Sequence, residues 1–434
     1  MNVYACTPIP ARRVSKNGKV ELRVTTEAAS FVRISVDYQD GTILPLGVFP
    51  LAKDTVCQKI YPDLQGVLGR FLFVVEFLSE TEEVLYTWRQ AYEIIDSPVH
   101  STRTMDGCFV TLYHWSELEG AYYNEGLAKL TDEQWKEQVY AMHEIGVTGI
   151  LIQNVFDCNE YVHQHDMTAD TYRGRAFYDS KLYAPRMPIA AKDPIEAILT
   201  AADECDMVVF PGVGMYAWFD FSPQSLEWHK RVSDELLERY GHHKSFYAMY
   251  ISEEIMGALY YGYDPVPDEK YKDIQNFFKE YKAYLQEKRP TMPVALAPNN
   301  IRMHCYQDEW SGILENLDIM IPFAFARSEN NVAEIAEMCE KTGTHFWVDM
   351  EIFDFPFDEG RLRPKTIDML KKEIRQYDAL EQIYGYQFTG LMNPPGKRYG
   401  MGLEETEVLY AAYQDYVKEI WAEQQAAVAE AKKK

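Results

Sequence analysis

Several common features are missing from this chain of 434 residues. It has no Asn-x-Ser/Thr sequon, no Cys-x-x-Cys pair and no apolar run of 18 residues. The seven cysteines are scattered and odd in number, which argues against a disulfide framework or a zinc knuckle and for buried, reduced thiols. The opening MNVYACTPIPARR lacks the apolar core of a signal peptide, so the sequence predicts a cytoplasmic protein, with a mature secreted form as the alternative. No membrane partner is expected. Positive charge is also scarce. Lys and Arg number 43 against 67 Asp and Glu, a formal charge of −24. Nucleic acids and anionic membrane surfaces both require a basic footprint, so neither is an expected partner. The balance suits a neutral or cationic small molecule. Only the tail QQAAVAEAKKK is of low complexity.

Apolar and aromatic residues are abundant. Hydrophobic residues make up 47% of the chain, with 31 Tyr, 21 Phe and 8 Trp. Tyr and Trp can stack on a ligand and still offer a polar group. The chain is too long for one ordinary core, unless much of it forms a barrel of 250 residues or more.

Residues 1–100 read as short strands: KVELRVTT, SFVRISVDYQ, VCQKIYP, GRFLFVVEFL and EVLYTWRQAYEII, with turns at Asn17-Gly18 and Asp40-Gly41. This pattern predicts an immunoglobulin- or fibronectin-like β-sandwich, joined through 96–104 to a second domain over 101–434. From Gly107 onward the period alternates between strand and helix through eight units. They run from GCFVTLYHW and TDEQWKEQVYAMHEIG to IYGYQFTGLM and EETEVLYAAYQDYVKEIWAEQ. Eight such units, with no Gly-x-Gly-x-x-Gly after any strand, predict a (β/α)8 barrel rather than an open doubly wound sheet.

In such a barrel the chemistry sits at the C-terminal strand ends and in the loops that follow. The fourth strand, SFYAMYISEEI, ends in two carboxylates. Alternation puts Ala248, Tyr250 and Ser252 on one face, so Glu254 is expected to point into the barrel and Glu253 toward the helices. In the seventh strand, Phe346, Val348, Met350 and Ile352 take one parity, and His345, Trp347, Asp349 and Glu351 take the other. Polar residues turned inward need partners, so a structural ion-pair network is the alternative to a catalytic role. Glu254 and Glu351 are the catalytic candidates, because two carboxylates flanking a glycosidic bond can hydrolyse it with retention or inversion according to their separation.

These stretches, together with GCFVTLYHW, KEQVYAMHEIGVTGILIQ and SDELLERYGHHKSFYAMYI, resemble a family of glycoside-hydrolase-like barrels of unknown function over roughly 105–395. That family is similar to retaining glycosidases with catalytic glutamates on strands 4 and 7. The resemblance implies Glu254 as acid/base and Glu351 as nucleophile. Glu253 stands where the retaining enzymes usually carry Asn, and the sixth strand ends in IPFAFARSE rather than a Gln-Asp-Gly type sequence.

Polar groups expected at strand ends are Gln153, Asn154, Glu253, Asn299, Asn300, Arg327, Asp349, Gln387 and Asn393, a set suited to a hydroxyl-rich ligand. Aromatics expected at the same edge include Tyr113, His114, Trp115, Tyr216, Trp218, Tyr260, Tyr261, Tyr263, Trp347, Phe353 and Tyr399. Packing on the rim is the alternative role for these rings. His163-Gln-His165 invites a metal reading but falls in the loop after the second strand, where a solvated pair is the simpler account. PPGKRYGMG after the eighth strand could hold a phosphate or be a plain glycine-rich turn. No metal and no cofactor is expected. The sequence therefore predicts an O-glycoside hydrolase acting on a small carbohydrate or glycoside. The rival readings are a carbohydrate-binding protein on an inactive barrel, and a metal-dependent hydrolase.

Overall fold

The protein is described by a computed structural model covering residues 4–52, 55–260, 270–327, 331–355, 361–397 and 399–431. It is a mixed α/β protein. Its N-terminal strands form two sheets. One runs in the order Arg13–Ser15, Val84–Ile95, Gly69–Leu78, Phe31–Asp37, Ile43–Pro50. The other is Tyr4–Ile9, Glu21–Thr26, Gln58–Ile60. Alternation sets the buried faces: Val32, Ile34, Val36, Phe71, Phe73, Val75 and Phe77 of the first sheet cluster with Leu22, Val24 and Ile60 of the second. Ile43–Pro50 was not expected as a strand, because Pro45, Gly47 and Pro50 interrupt it. It pairs only at the edge of its sheet, where proline is tolerated. Tyr4–Ile9 and Arg13–Ser15 were also unexpected. The connector 96–104 has no regular structure but is anchored, with the His100 and Ser101 amides donating to the Asp378 carbonyl.

The remainder alternates strand and helix. The strands are β1 (Gly107–Val110), β2 (Gly149–Ile152), β3 (Val208–Pro211), β4 (Met249–Ile251), β5 (Val294–Leu296), β6 (Ile319–Met320), β7 (His345–Phe346 and Val348–Glu351) and β8 (Ile383–Tyr386). All pairings among them are parallel. They run β3-β2-β1-β8-β7 through Val348–Glu351 and β4-β5-β6-β7 through His345–Phe346. Bridges Val209–Phe246 and Gly212–Tyr250 bring β3 against β4, so the sheet curls round on itself.

Helices α1 (Asp132–Glu144), α2 (Pro194–Glu204), α3 (Pro223–Tyr240), α4 (Lys270–Lys288), α5 (Gln307–Leu314), α6 (Val332–Thr342), α7 (Ile367–Ile374) and α8 (Glu405–Ala431) follow the strands in turn. Their starts are legible locally. Thr131 and Gln134 make a reciprocal capping box, and Ser222 caps α3 ahead of Pro223. No helix among the described residues is long and apolar enough to cross a membrane, and all seven cysteines are free.

Parity separates two cores. Cys108, Val110, Ile150, Ile152, Met249, Ile251, Val348 and Met350 join the helices in the outer one. Phe109, Leu151, Phe210, Tyr250, Ala295, Ile319, Trp347 and Tyr384 form the inner one, together with Ile9 and Ala11 from the N-terminal segment. These two N-terminal residues pack at the end of the curled sheet where its strands begin. Tyr247 Oη donates to the Pro8 carbonyl (2.7 Å), and Arg13 Nε donates to Asp106, just before β1 (2.8 Å). Buried Arg23 joins Glu21 (2.6 Å) to Asp318, just before β6, and Lys282 reaches the same Asp318. With that end occupied by packing and ion pairs, the opposite end is left for a site.

Candidate active site

At the C-terminal ends of the strands lies a cavity of about 340 Å³. Tyr250, Ser252 and Glu254 enter it from β4 and its extension, Asp349 and Glu351 from β7, Gln153 from β2, and Tyr386 from β8. Phe109, Phe323, Phe353 and Phe355 supply apolar wall, and His114, Trp115 and Glu119 come from the segment after β1. Arg327, half-exposed after β6, is the one Lys or Arg among the described residues that line it.

The carboxylates differ in their surroundings. Arg327 donates through Nε to Glu351 Oε2 (3.1 Å) and through Nη2 to Glu351 Oε1, a bidentate grip. Lys365 Nζ donates to the Glu351 carbonyl and, at 2.5 Å, to Glu373. Burial raises the Glu351 pKa, and the Arg327 charge and hydrogen bonds work against that rise. Glu254 is only partly exposed. Burial and the nearby Glu119 push its pKa up to about 7, against the opposing pull of Arg327 and the Asn299 amide. Asp349 sits one layer deeper on β7. Its Oδ1 is buried without a hydrogen-bond partner, and burial plus neighbouring Glu351 raise its pKa well above the usual range. His114, buried beneath the Glu119 carboxylate (Nε2 to Oε2, 3.4 Å), is lowered to about 4 by burial and stays neutral near pH 7.

Of the anticipated residues, the cavity wall unites Glu254, Glu351, Asp349, Arg327, Gln153, His114, Trp115 and Phe353. Gln153 accepts a hydrogen bond from Tyr386 Oη (3.0 Å). Others are placed elsewhere. Glu253 takes the opposite parity from Glu254 and is buried behind the strand, where it accepts from the Phe219 amide (3.2 Å). It has no place in the wall. Trp347 has the inward parity but lies two residues below Asp349. It stacks on Tyr384 in the inner core and donates to Glu381 (3.1 Å).

Asn154, Gln387 and Asn393 are used internally. Their amides donate to the carbonyls of Phe156, Thr389 and Met401 at 3.0, 3.1 and 3.2 Å. Asn299 accepts from the Ile301 amide (2.9 Å) and stands behind Glu254 rather than in the wall, and Asn300 binds the Phe323 carbonyl. Tyr113 lines a neighbouring groove and donates to Glu117 (2.8 Å). Trp218 packs between Trp115 and Tyr161 on the rim. Tyr216 is buried, donating to the Met167 carbonyl (2.8 Å), while Tyr260 accepts from Arg302 (3.2 Å) and Tyr399 packs against the outer core. Tyr261 and Tyr263 lie outside the described residues.

Among the described residues, His163 and His165 do not belong to a cluster of metal-ligating groups. His165 Nε2 is 2.8 Å from Asp220, with its Nδ1 facing the Met167 amide (3.2 Å), while His163 is exposed. Within PPGKRYGMG, Gly396, Gly400 and Gly402 take positive φ, and Arg398 lies outside the described residues. Sequence reasoning missed Glu119, Phe109, Tyr250, Phe323, Phe355, Leu362 and Tyr386 as lining residues. For the aromatics, inward parity at a strand end was the available signal. Glu119 carried only one hint, its position in a long loop after β1.

Residues 105–399 match the family model described as Domain of unknown function (DUF4434). The chain belongs to this family. The match coincides with the span over which the sequence resembled a glycosidase-like family of unknown function. The chain matches no curated protein. Among solved structures, a candidate alpha-L-fucosidase from Bacteroides thetaiotaomicron VPI-5482 aligns at TM-score 0.52 and 18% identity, over 73% of this chain and 93% of its own. It shares the fold. An endo-1,4-beta-mannanase from Rhizomucor miehei aligns at 0.45 and 11% identity, over 73% of this chain and 95% of its own. A Parabacteroides merdae beta-glucuronidase aligns at 0.42 and 12% identity, over 96% of this chain and 52% of its own. Within the DUF4434 region lie all the residues that line the cavity.

Proposed function

We propose that this protein is a glycoside hydrolase whose curled sheet is a (β/α)8 barrel over 101–434, preceded by a β-sandwich domain over 1–100, acting on a small carbohydrate or glycoside. The observation that carries the reading is the contrast between Glu254 and Glu351 in one cavity. Glu254 holds its proton up to about pH 7, while Glu351 is bonded at both oxygens by Arg327. Burial raises the pKa of both, but only Glu351 has direct Arg327 hydrogen bonds favouring its ionised form, and unlike surroundings are what acid and nucleophile roles require.

In this scheme the Glu351 carboxylate attacks the anomeric carbon as Glu254 gives its proton to the departing oxygen. Glu254 then takes a proton from water, whose oxygen displaces Glu351 and releases the sugar with its configuration retained. Gln153, Trp115, Arg327 and Asp349 would hold the sugar, with the rings of Phe109, Tyr250 and Tyr386 below it. The fold likeness and the family match are compatible with this reading at the level of architecture.

The test is a panel of aryl glycosides assayed with wild type, Glu254→Gln and Glu351→Gln, and with the anomer of the first product followed by NMR. Both variants are expected to lose turnover by about 10³-fold or more, since each removes a group that acts in the transition state. Near-normal rates in both would overturn the assignment, and an inverted product would replace the nucleophile with a base. One observation favours the rival reading of a sugar-binding protein without hydrolysis, namely the Arg327–Glu351 ion pair. That reading predicts sugar binding with no turnover on any member of the panel.

A further inference from the structure

The cavity is short of positive charge. Four carboxyl groups line it, from Glu119, Glu254, Asp349 and Glu351, against the single guanidinium of Arg327. Two of its N–H donors already bind Glu351, which neutralises much of its charge. Lys365 is buried close behind Glu351 but is engaged by Glu373 and a carbonyl, and His114 is neutral. An acidic cluster alone would mean little, but Asp349 adds an independent sign. It is only 5% exposed, it lines the cavity, and its Oδ1 has no hydrogen-bond partner. A buried carboxyl oxygen left without a donor costs on the order of 1–3 kcal/mol, which a bound donor can restore. The same cavity is lined by Phe109, Tyr250 and Tyr386, aromatic rings of the kind that attracts a cation, while the Phe353 ring already has the Arg327 guanidinium over it (6.0 Å).

We propose that the cavity selects a cationic sugar, one bearing a free protonated amine, with the ammonium seated between Asp349 and the aromatic wall. This deepens the glycosidase reading and rests on it for the sugar part of the ligand. A uronic acid is the disfavoured alternative. Its carboxylate would face three carboxyl groups, and Arg327 could offer it only the N–H donors that Glu351 does not take. A neutral sugar would satisfy Asp349 through a hydroxyl but gain nothing from the surrounding charge. The overall charge of −24 acts in the same direction, concentrating cations near the protein. An ammonium beside Asp349 also favours its ionised form, so binding would release a proton.

The experiment measures binding by titration calorimetry to the full chain at low and high salt. The probes are glucosamine, galactosamine and mannosamine, then glucose, galactose and mannose, then glucuronate and galacturonate. At least one amino sugar is expected to bind about tenfold or more tighter than its neutral counterpart, with the uronates weakest. The gap should shrink in 0.5 M salt and in Asp349→Asn. Equal affinities, tighter binding of a neutral sugar or uronate, or no amino-sugar binding overturns the proposal. Hydrolysis of matched aryl glycosides separates the two claims. An amino-sugar preference in binding with no turnover of any glycoside removes the hydrolase reading and leaves the cation preference. Turnover of neutral glycosides without amine preference does the reverse.

Discussion

Arg327, on the segment after β6, holds Glu351, at the end of β7, through two separate N–H donors, and half of the Arg327 side chain remains open to solvent. A guanidinium matches both oxygens of a carboxylate, whereas an ammonium offers a point charge without the fork. The pair therefore fixes the direction of Glu351 and favours its ionised form against the effect of burial. Arg327 acts on Glu254 only through space.

Arg327→Lys should keep part of the charge and lose the grip. We expect kcat to fall about 10- to 100-fold, as for loss of one charge-assisted contact in a shielded site. Arg327→Ala should also move both limbs of the pH profile to higher pH, because the cation that favours the ionised forms of Glu351 and Glu254 is gone. Kinetics from pH 4 to 9 provide the check. Unmoved limbs would show that Arg327 is structural.

The alkaline limb of kcat/KM in wild type should fall near pH 7, where Glu254 loses the proton it has to donate. Above that point the rate should drop about tenfold per pH unit. With aryl leaving groups that depart without protonation, the limb should flatten. A limb near the ordinary carboxylate range would remove Glu254 as the acid.

Stability should decline on the alkaline side because of His345. Burial lowers its pKa, but Glu381 at 2.7 Å and Glu21 at 3.8 Å outweigh that and hold it up to about 9. A pKa raised in the folded state stabilises fully below the unfolded value of about 6.5, and the contribution disappears as pH climbs through about 9. The shift corresponds to about 3 kcal/mol at most. Urea titrations at pH 6 and pH 9.5 should show that loss in wild type and much less of it in His345→Gln.

Gly149 and Gly107 face the base of the inner core. A Cβ at Gly149 would lie 2.2 Å from Tyr384 Oη, and one at Gly107 would lie 2.2 Å from the Tyr384 ring. Alanine at either site should destabilise by about 1–3 kcal/mol through overpacking. Adding Tyr384→Phe should relieve much of the cost for Gly149→Ala and little for Gly107→Ala. Chemical denaturation of the four variants would distinguish the two.

Several features were legible without coordinates because they depend on local rules. The inward parity of Asp349, Glu351 and Glu254 follows from the two-residue period of a strand, and it holds wherever the strand is placed. Thr131, Ser222 and Pro223 marked helix starts because capping involves only the next three residues. The shortage of basic residues pointed toward neutral or cationic ligands before any cavity was known.

Depth and destination required the tertiary structure. Trp347 shares its parity with Asp349 and Glu351, but which layer of the curled sheet it reaches depends on the stagger of its neighbours. It ended on Tyr384 instead of in the cavity. Asn154, Gln387 and Asn393 sit near strand ends, where loop carbonyls claimed their donors. Glu119 entered the wall only because the chain after β1 turns back over the strand ends, a path that no periodicity encodes. The base of the sheet is occupied by Ile9 and Ala11, brought across about a hundred residues of intervening strands. Alternation decided which way each strand side chain points, because it is a property of the local backbone. Which of those side chains meet was decided by the curling of the sheet, because contacts between distant strands depend on how all of them close together.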